Sequence, residues 1–218
     1  MSPDPIFLIV AGPNGSGKTT LCENPRFLNQ IGKLFDTGHF LNPDKIALTE
    51  RSLNPHLSIQ QGDLIAAERV EEAVSKYIAG RISFLVETVL SSDKYKKFWT
   101  MAGTSGFERH LIYVGLESFE ISAERVTIRS SQGGHDVPLN RLKNRFDRSL
   151  ENLAWFAKEA DNHFLLNGSN DYHMDALGTK KQVVIKDRSL PWIDKVFCEF
   201  SKGEEIKKDP RYNMLGFC

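Results

Sequence analysis

Residues Ile6–Thr20 read IFLIVAGPNGSGKTT: five unbroken apolar residues, a glycine-rich turn, then a lysine and two threonines. The apolar run shows no alternation of polar and apolar positions, which predicts a strand buried on both faces. The turn satisfies G-x-x-x-x-G-K-[ST] without exception over Gly12, Pro13, Asn14, Gly15, Ser16, Gly17, Lys18 and Thr19. Glycines there let the chain wrap so that successive N–H groups face phosphate oxygens. Lys18 then reaches the β/γ-phosphates, and the Thr19 hydroxyl binds Mg²⁺. Thr20 completes the nucleotide-binding set, and a helix predicted to start near Lys18 adds its positive dipole end. ATP or GTP with Mg²⁺ is the expected ligand; a fortuitous glycine-rich turn would need neither the strand before nor the helix after.

Working outward, residues 59–79 place Leu64, Ala67, Val70, Val74, Tyr77 and Ile78 near helical spacing, with Gly80 as the stop. Four further buried strands are predicted at Ile82–Glu87, His110–Leu116, His163–Asn167 and Gln182–Asp187. Strands alternating with helices predict an α/β fold of the P-loop NTPase/kinase kind, a mostly parallel sheet flanked by helices. Ligands of such sheets sit at the carboxyl ends of the strands, so Glu87 and the phosphate loop are expected to share one crevice. No linker or internal repeat divides the 218 residues, and one kinase domain over 1–218 is expected. The final stretch from Lys202 reads as a polar tail or a short terminal helix.

Composition bounds the partners. Lysine plus arginine equals aspartate plus glutamate at 28 each, so net charge offers no global attraction to nucleic acid or anionic membrane. Cys22, Cys198 and Cys218 are scattered and odd in number, which argues for reduced thiols over a disulfide framework or zinc site. No signal peptide is recognisable, and no apolar run approaches the roughly 18–20 residues of a membrane span. A cytoplasmic protein is expected.

What the loop is for depends on the residues that follow it. Asp44, in Asn42-Pro43-Asp44 after a short predicted strand, is either the general base for an acceptor hydroxyl or the N-cap of a helix beginning at Lys45. Glu87, grouped with Thr88 as substrate-binding, is the first charge after a buried strand. It binds Mg²⁺ through water, holds a substrate hydroxyl, or marks the strand end. A mechanical ATPase or switch GTPase would show an apolar run ending in Asp here. Residues 124–148 carry Arg125, Arg129, Arg141, Lys143, Arg145 and Arg148 around Gly133-Gly134, giving helix, turn, helix over a lid of about 122–150. Such arginines stabilise charge on a transferring phosphoryl group; the alternatives are a solvated basic surface or an RNA-binding face. His135 touches phosphate or caps the turn. His39, His56, His110 and His163 have no metal-ligand spacing, and Trp99, Trp155 and Trp192 read as core or interface aromatics.

The AGPNGSGK loop, the NPD acid, the ET strand end and the GGHDVP segment, in this order from about Ile6 to Asn167, resemble the zeta toxin family of bacterial P-loop kinases, in particular its smaller zeta-like members. The resemblance implies transfer of the ATP γ-phosphoryl group to a sugar hydroxyl, with UDP-N-acetylglucosamine the best-known acceptor. It assigns catalytic roles to Lys18, Asp44, Arg129 and Arg141, substrate binding to Glu87 and Thr88, and the metal to Thr19. It also implies an antitoxin partner. The larger toxins follow the glutamate with Gly-Thr, whereas this chain has Thr88-Val89-Leu90. The competing readings are a polynucleotide 5′-hydroxyl kinase and a nucleotide-dependent binding module. The stretch Leu177–Ile185 reads as a late hairpin beside the adenine.

Overall fold

The computed structural model describes residues 4–31, 39–131, 138–198 and 200–202. In chain order they form β1 (Ile6–Ala11), α1 (Lys18–Glu23), α2 (Pro25–Ile31), β2 (Phe40–Leu41), α3 (Pro43–Leu53), α4 (Ile59–Ala79), β3 (Phe84–Thr88) and α5 (Lys94–Thr104). There follow β4 (Glu108–Gly115), α6 (Phe119–Ser131), α7 (Leu139–Glu159), β5 (Asn162–Asn167), β6 (His173–Gly178), β7 (Gln182–Ile185), α8 (Ile193–Val196) and β8 (Ser201–Lys202).

All eight strands join one sheet in the order β2-β3-β1-β4-β5-β6-β7-β8. The five strands from β2 to β5 are mutually parallel, β6 and β7 turn back antiparallel, and β8 lies parallel to β7. This is the mostly parallel α/β architecture expected of a P-loop kinase. Strand β1 shows why its sequence lacks alternation: Phe7, Ile9 and Ala11 enter one core cluster, and Ile6, Leu8 and Val10 enter another on the opposite face. Both faces are covered by apolar residues, so every position on the strand is buried.

Local chemistry sets the element ends. Asn24 takes an extended ψ of 122°, as a residue before proline must, and this separates α1 from α2 at Pro25. Helix α4 opens with a capping box between Ser58 and Gln61 and closes at Gly80. Its buried line is Gly62, Ala66, Val70, Val74 and Ile78, an i,i+4 series, while Leu64 points to solvent. The expected face was therefore misplaced at Leu64, because helix packing follows one ridge and not every apolar residue. Strand β6 escaped the sequence reading: HMDALG mixes a histidine and a buried aspartate into the run, and polar residues conceal a strand edge. The predicted hairpin is present, with Gly178 paired to Val183 and the Thr179 amide bonded to the Gln182 carbonyl at 2.9 Å. The predicted turn carrying Gly133, Gly134 and His135, and residues 203–218, for which a polar tail or terminal helix was expected, lie outside the described residues.

Candidate active site

The phosphate loop joins β1 to α1 at the carboxyl edge of the parallel strands. Gly12, Gly15 and Gly17 take φ of 143°, 74° and 94°, values that side chains rarely tolerate. A Cβ on Gly12 would also collide with the Val114 carbonyl of β4. Ser16 is fully buried, and its Oγ has no hydrogen-bond partner among the described residues. Lys18 is buried too; its Nζ donates to the Pro13 carbonyl at 2.8 Å. Burial lowers the Lys18 pKa to about 8, against the opposing pull of Glu87 and Asp44, while Arg129 pushes it down further. An unpartnered buried hydroxyl beside a desolvated ammonium, inside a glycine wrap, fits a triphosphate.

Other elements hold this loop in place. Ser122 of α6 donates to the Asn14 carbonyl at 2.7 Å. Arg125 of α6 donates from Nη1 to the carbonyls of Gly15 at 3.1 Å and Gly168 at 2.7 Å, and from Nη2 to that of Ser169. Tyr172, just before β6, donates to the Gly17 carbonyl at 2.6 Å. Arg125, grouped by sequence with the lid arginines, is thus bound to main-chain carbonyls and ties the loop to the β5–β6 connection. Sequence offered no signal for Ser122 or Tyr172, since their partners lie 108 and 155 residues away.

Beside the loop, β3 ends on a second carboxylate. Glu87 is buried and accepts from Thr19 Oγ1 at 2.6 Å and from Asn42 Nδ2 at 2.7 Å. Its pKa is raised, because desolvation outweighs these donors and the charge of Lys18. Asn42, not Asp44, caps α3: its Oδ1 accepts from the Lys45 amide at 3.0 Å, and Pro43 occupies the first helical turn. Asp44 is left exposed at the mouth, with no side-chain hydrogen bond or ion pair among the described residues. The helix-capping alternative for Asp44 therefore gives way to its neighbour. Thr88 Oγ1 accepts from the Leu90 amide at 3.1 Å, and Leu90 sits at φ 62°. Helix α7 braces this turn, with Ser149 donating to the Val89 carbonyl at 2.6 Å and Asn152 to the Leu90 carbonyl at 2.9 Å.

These groups surround a cavity of about 630 Å³, lined also by Ser91, Lys94, Arg129, Arg145 and Arg148. Arg141 is exposed and does not line it. One turn of α7 separates Arg141 from Arg145, so the helix carries the two to different heights above the cavity. Lys143 pairs with Asp147 at 2.5 Å on the outer surface, which is the solvated-surface reading for that residue. Trp99 is fully buried, and His163 stacks on Phe197 within the core, as ordinary structural residues.

The family model described as Zeta toxin matches residues 59–168. A protein of Haemophilus influenzae, described as uncharacterized, is 30% identical over 139 residues, covering 64% of this chain and 91% of its own length. Among solved structures, a chain from the PezAT chromosomal toxin-antitoxin system of Streptococcus pneumoniae superposes with a TM-score of 0.56 at 18% identity, covering 78% of this chain and 70% of that one. A chain of the AvrRxo1-ORF1:-ORF2 crystal structure with ATP superposes at 0.68 and 16% identity, over 95% of this chain and 67% of that one. At these identities the two structures show a shared fold. No helix among the described residues is long and apolar enough to cross a membrane.

Proposed function

We propose that this chain, which belongs to the zeta toxin family, is a kinase that transfers the ATP γ-phosphoryl group to a hydroxyl of a small acceptor, a nucleotide sugar of the UDP-N-acetylglucosamine kind or a related metabolite. The observation that carries this reading is the unequal engagement of two carboxylates on one cavity. Glu87 is held by Thr19 and Asn42, whereas Asp44 stands exposed and unpaired at the mouth.

In the proposed reaction the acceptor oxygen forms a bond to the γ-phosphorus as the bond to the β,γ-bridging oxygen breaks, and ADP leaves. The acceptor proton passes to the Asp44 carboxylate. Lys18 and the Ser16 hydroxyl bind triphosphate oxygens, with the loop amides of Gly12, Pro13–Gly17, Thr19 and Thr20 contributing where they have an N–H. The hard oxygens of Thr19 and Glu87, 2.6 Å apart, are the donors that fit Mg²⁺, which when bound neutralises charge on the triphosphate. Arg129 stabilises charge on the transferring group. Arg145 and Arg148, which line the cavity, take the second clamp position that the resemblance assigned to Arg141. Thr88 shapes the acceptor turn by accepting from the Leu90 amide.

The proposal extends to organisation. One kinase domain carries α6 and α7 as its lid over about 122–150, and acts in the cytoplasm, where its donor is abundant. An antitoxin covering the nucleotide cavity is the proposed protein partner, supported by the toxin-antitoxin system to which the Streptococcus pneumoniae neighbour belongs.

Incubation with ATP, Mg²⁺ and a panel of nucleotide sugars, nucleotides and a short 5′-hydroxyl RNA, read by mass spectrometry, tests the reading. A phosphorylated nucleotide sugar that disappears with Asp44→Asn is the expected result. Phosphate found only on the RNA overturns it. So does ATP hydrolysis at equal rates in wild type and Asp44→Asn with no phosphorylated product.

A further inference from the structure

We propose that His173, Asp175 and Asp187 form a binding site for one divalent transition-metal cation of the zinc class, separate from the nucleotide cavity. None of the three lines that cavity, and their ligand atoms all lie within 4.8 Å of one another. His173 opens β6 beside Asn167 of β5, Asp175 lies two residues further along the same face, and Asp187 follows β7.

The spacing is that of ligands around a common centre. His173 Nε2 lies 2.9 Å from Asp175 Oδ1 and 3.6 Å from Asp187 Oδ2. Nitrogen and oxygen ligands at about 2.0–2.2 Å from zinc, with angles between square and tetrahedral, are about 2.9–3.5 Å from each other. Both His173 edges fall close to that range, and closing the remaining spread of up to 4.8 Å asks for a rotation of the exposed Asp187 side chain.

A buried carboxylate oxygen of Asp175 is turned into the same volume. Asp175 Oδ2 accepts from Ser189 Oγ at 2.9 Å and from the Leu190 amide at 3.2 Å. Asp175 Oδ1 takes no hydrogen bond among the described residues, although the residue is 0% exposed. It faces His173 Nε2 at 2.9 Å, an ion pair when the ring is protonated. The other ring nitrogen, Nδ1, faces the Asp171 carbonyl at 3.3 Å. A carbonyl only accepts, so a hydrogen on Nδ1 is held there, and the ring in that tautomer would turn its Nε2 lone pair to an ion in the site. That backbone contact is the arrangement by which metal-bound histidines are held in the ligating tautomer. Ser189 Oγ, which donates to Asp175, lies 3.0 Å from Nε2. A ring nitrogen and two carboxylate oxygens thus share one small volume.

Access and selectivity agree with this assignment. The His173 and Asp187 side chains are 44% and 54% exposed, so an ion can enter from solvent and meet the buried Asp175 at the base. A donor set containing imidazole favours zinc over magnesium or calcium, which prefer oxygen alone. The bound ion would pin the segment around Ser189 and Leu190 to β6. That segment adjoins Asn167, whose Nδ2 donates to Ser189 at 2.8 Å, and so lies next to the β5–β6 connection held by Arg125.

Zinc chloride titrated calorimetrically into tag-free, chelator-treated full-length protein tests the proposal. One equivalent is expected to bind and to raise the melting temperature. His173→Ala and, separately, Asp187→Asn are each expected to weaken binding at least about tenfold, and Cys198→Ser to leave it unchanged. Asp187 is on the surface, so its variant keeps the test open if His173→Ala loses its circular-dichroism signature. Absence of stoichiometric zinc binding overturns the site and leaves a protonated His173 as the link between the carboxylates. Binding that survives Asp187→Asn, or that is lost with Cys198→Ser, overturns it equally.

Discussion

On the donor side of the cavity, Ser122, Arg125 and Tyr172 hold the carbonyls of Asn14, Gly15 and Gly17, and Lys18 and Glu87 are buried. On the acceptor side, Asp44, Arg145 and Arg148 stand exposed, and Ser91 and Lys94 are half-buried. A fixed wall suits the proposed donor, because a triphosphate presents the same oxygens each time and preorganised dipoles act best when they need not move. This rigidity has a cost. Burial disfavours the charge on both Lys18 and Glu87, and charged groups kept against that penalty are the mark of a site that trades stability for binding. On the acceptor side burial holds down the Lys94 pKa, but Asp44, Arg145 and Arg148 are exposed and can change with the substrate without disturbing the loop.

The largest expected effect breaks the donor side at its centre. Lys18→Met should lower phosphoryl transfer by about 10³-fold or more. It should do so without lowering the melting temperature of the nucleotide-free protein at pH 7. The folded-state pKa of about 8 lies below the ordinary 10.5, so the folded protein releases this proton first. Stability from this group therefore rises between those two values, and at pH 7 the buried charge is a cost that methionine removes. Scanning fluorimetry checks it; a fall of several degrees would show that the Lys18–Pro13 hydrogen bond outweighs the burial penalty.

Asp44→Asn should lower kcat by about 10²-fold while leaving the KM for ATP near wild type, because the proton acceptor is lost and the donor side is untouched. A parallel rise in KM for ATP would erase the distinction between the two sides. Glu87→Gln is expected to cost about 10–100-fold in activity through the Thr19 contact. Its raised pKa means that the folded protein prefers the protonated form, so the stability contribution is present at low pH and declines as pH rises above the ordinary 4.5. Thermal melts across pH 4–7 should show a shallower decline in the Gln variant than in wild type; identical slopes would show that Glu87 is not the group responsible.

Smaller effects follow on the periphery. Arg125→Lys should raise the KM for ATP by about tenfold and leave that for the acceptor alone, since an ammonium cannot span three carbonyls as the planar guanidinium does. Arg145→Ala should lower kcat several-fold and raise the acceptor KM, as loss of a clamp on the transferring group would. Arg141→Ala should change either constant by less than about twofold, as expected of an exposed side chain outside the cavity. A larger loss in Arg141→Ala than in Arg145→Ala would return the clamp role to Arg141.

The amino-acid sequence by itself determined the donor chemistry and the core of the fold. Both are written in short runs: the glycine-lysine-threonine spacing acts through backbone conformation within eight residues, and IFLIV buries itself on both faces whatever packs against it. The boundaries of α4 were equally legible, since capping and glycine termination act over four residues. Only the tertiary structure decided which arginines face the cavity, because Arg125, Arg129, Arg141, Arg145 and Arg148 share a composition and a helical periodicity. Their height and rotation on α6 and α7 come from packing across the sheet. The same holds for Tyr172 on Gly17 and for His173, Asp175 and Asp187, which meet because β6 runs antiparallel to β5 and β7. Contacts between residues close in sequence follow from local sterics, whereas those between distant residues depend on strand order and register, which no short stretch encodes.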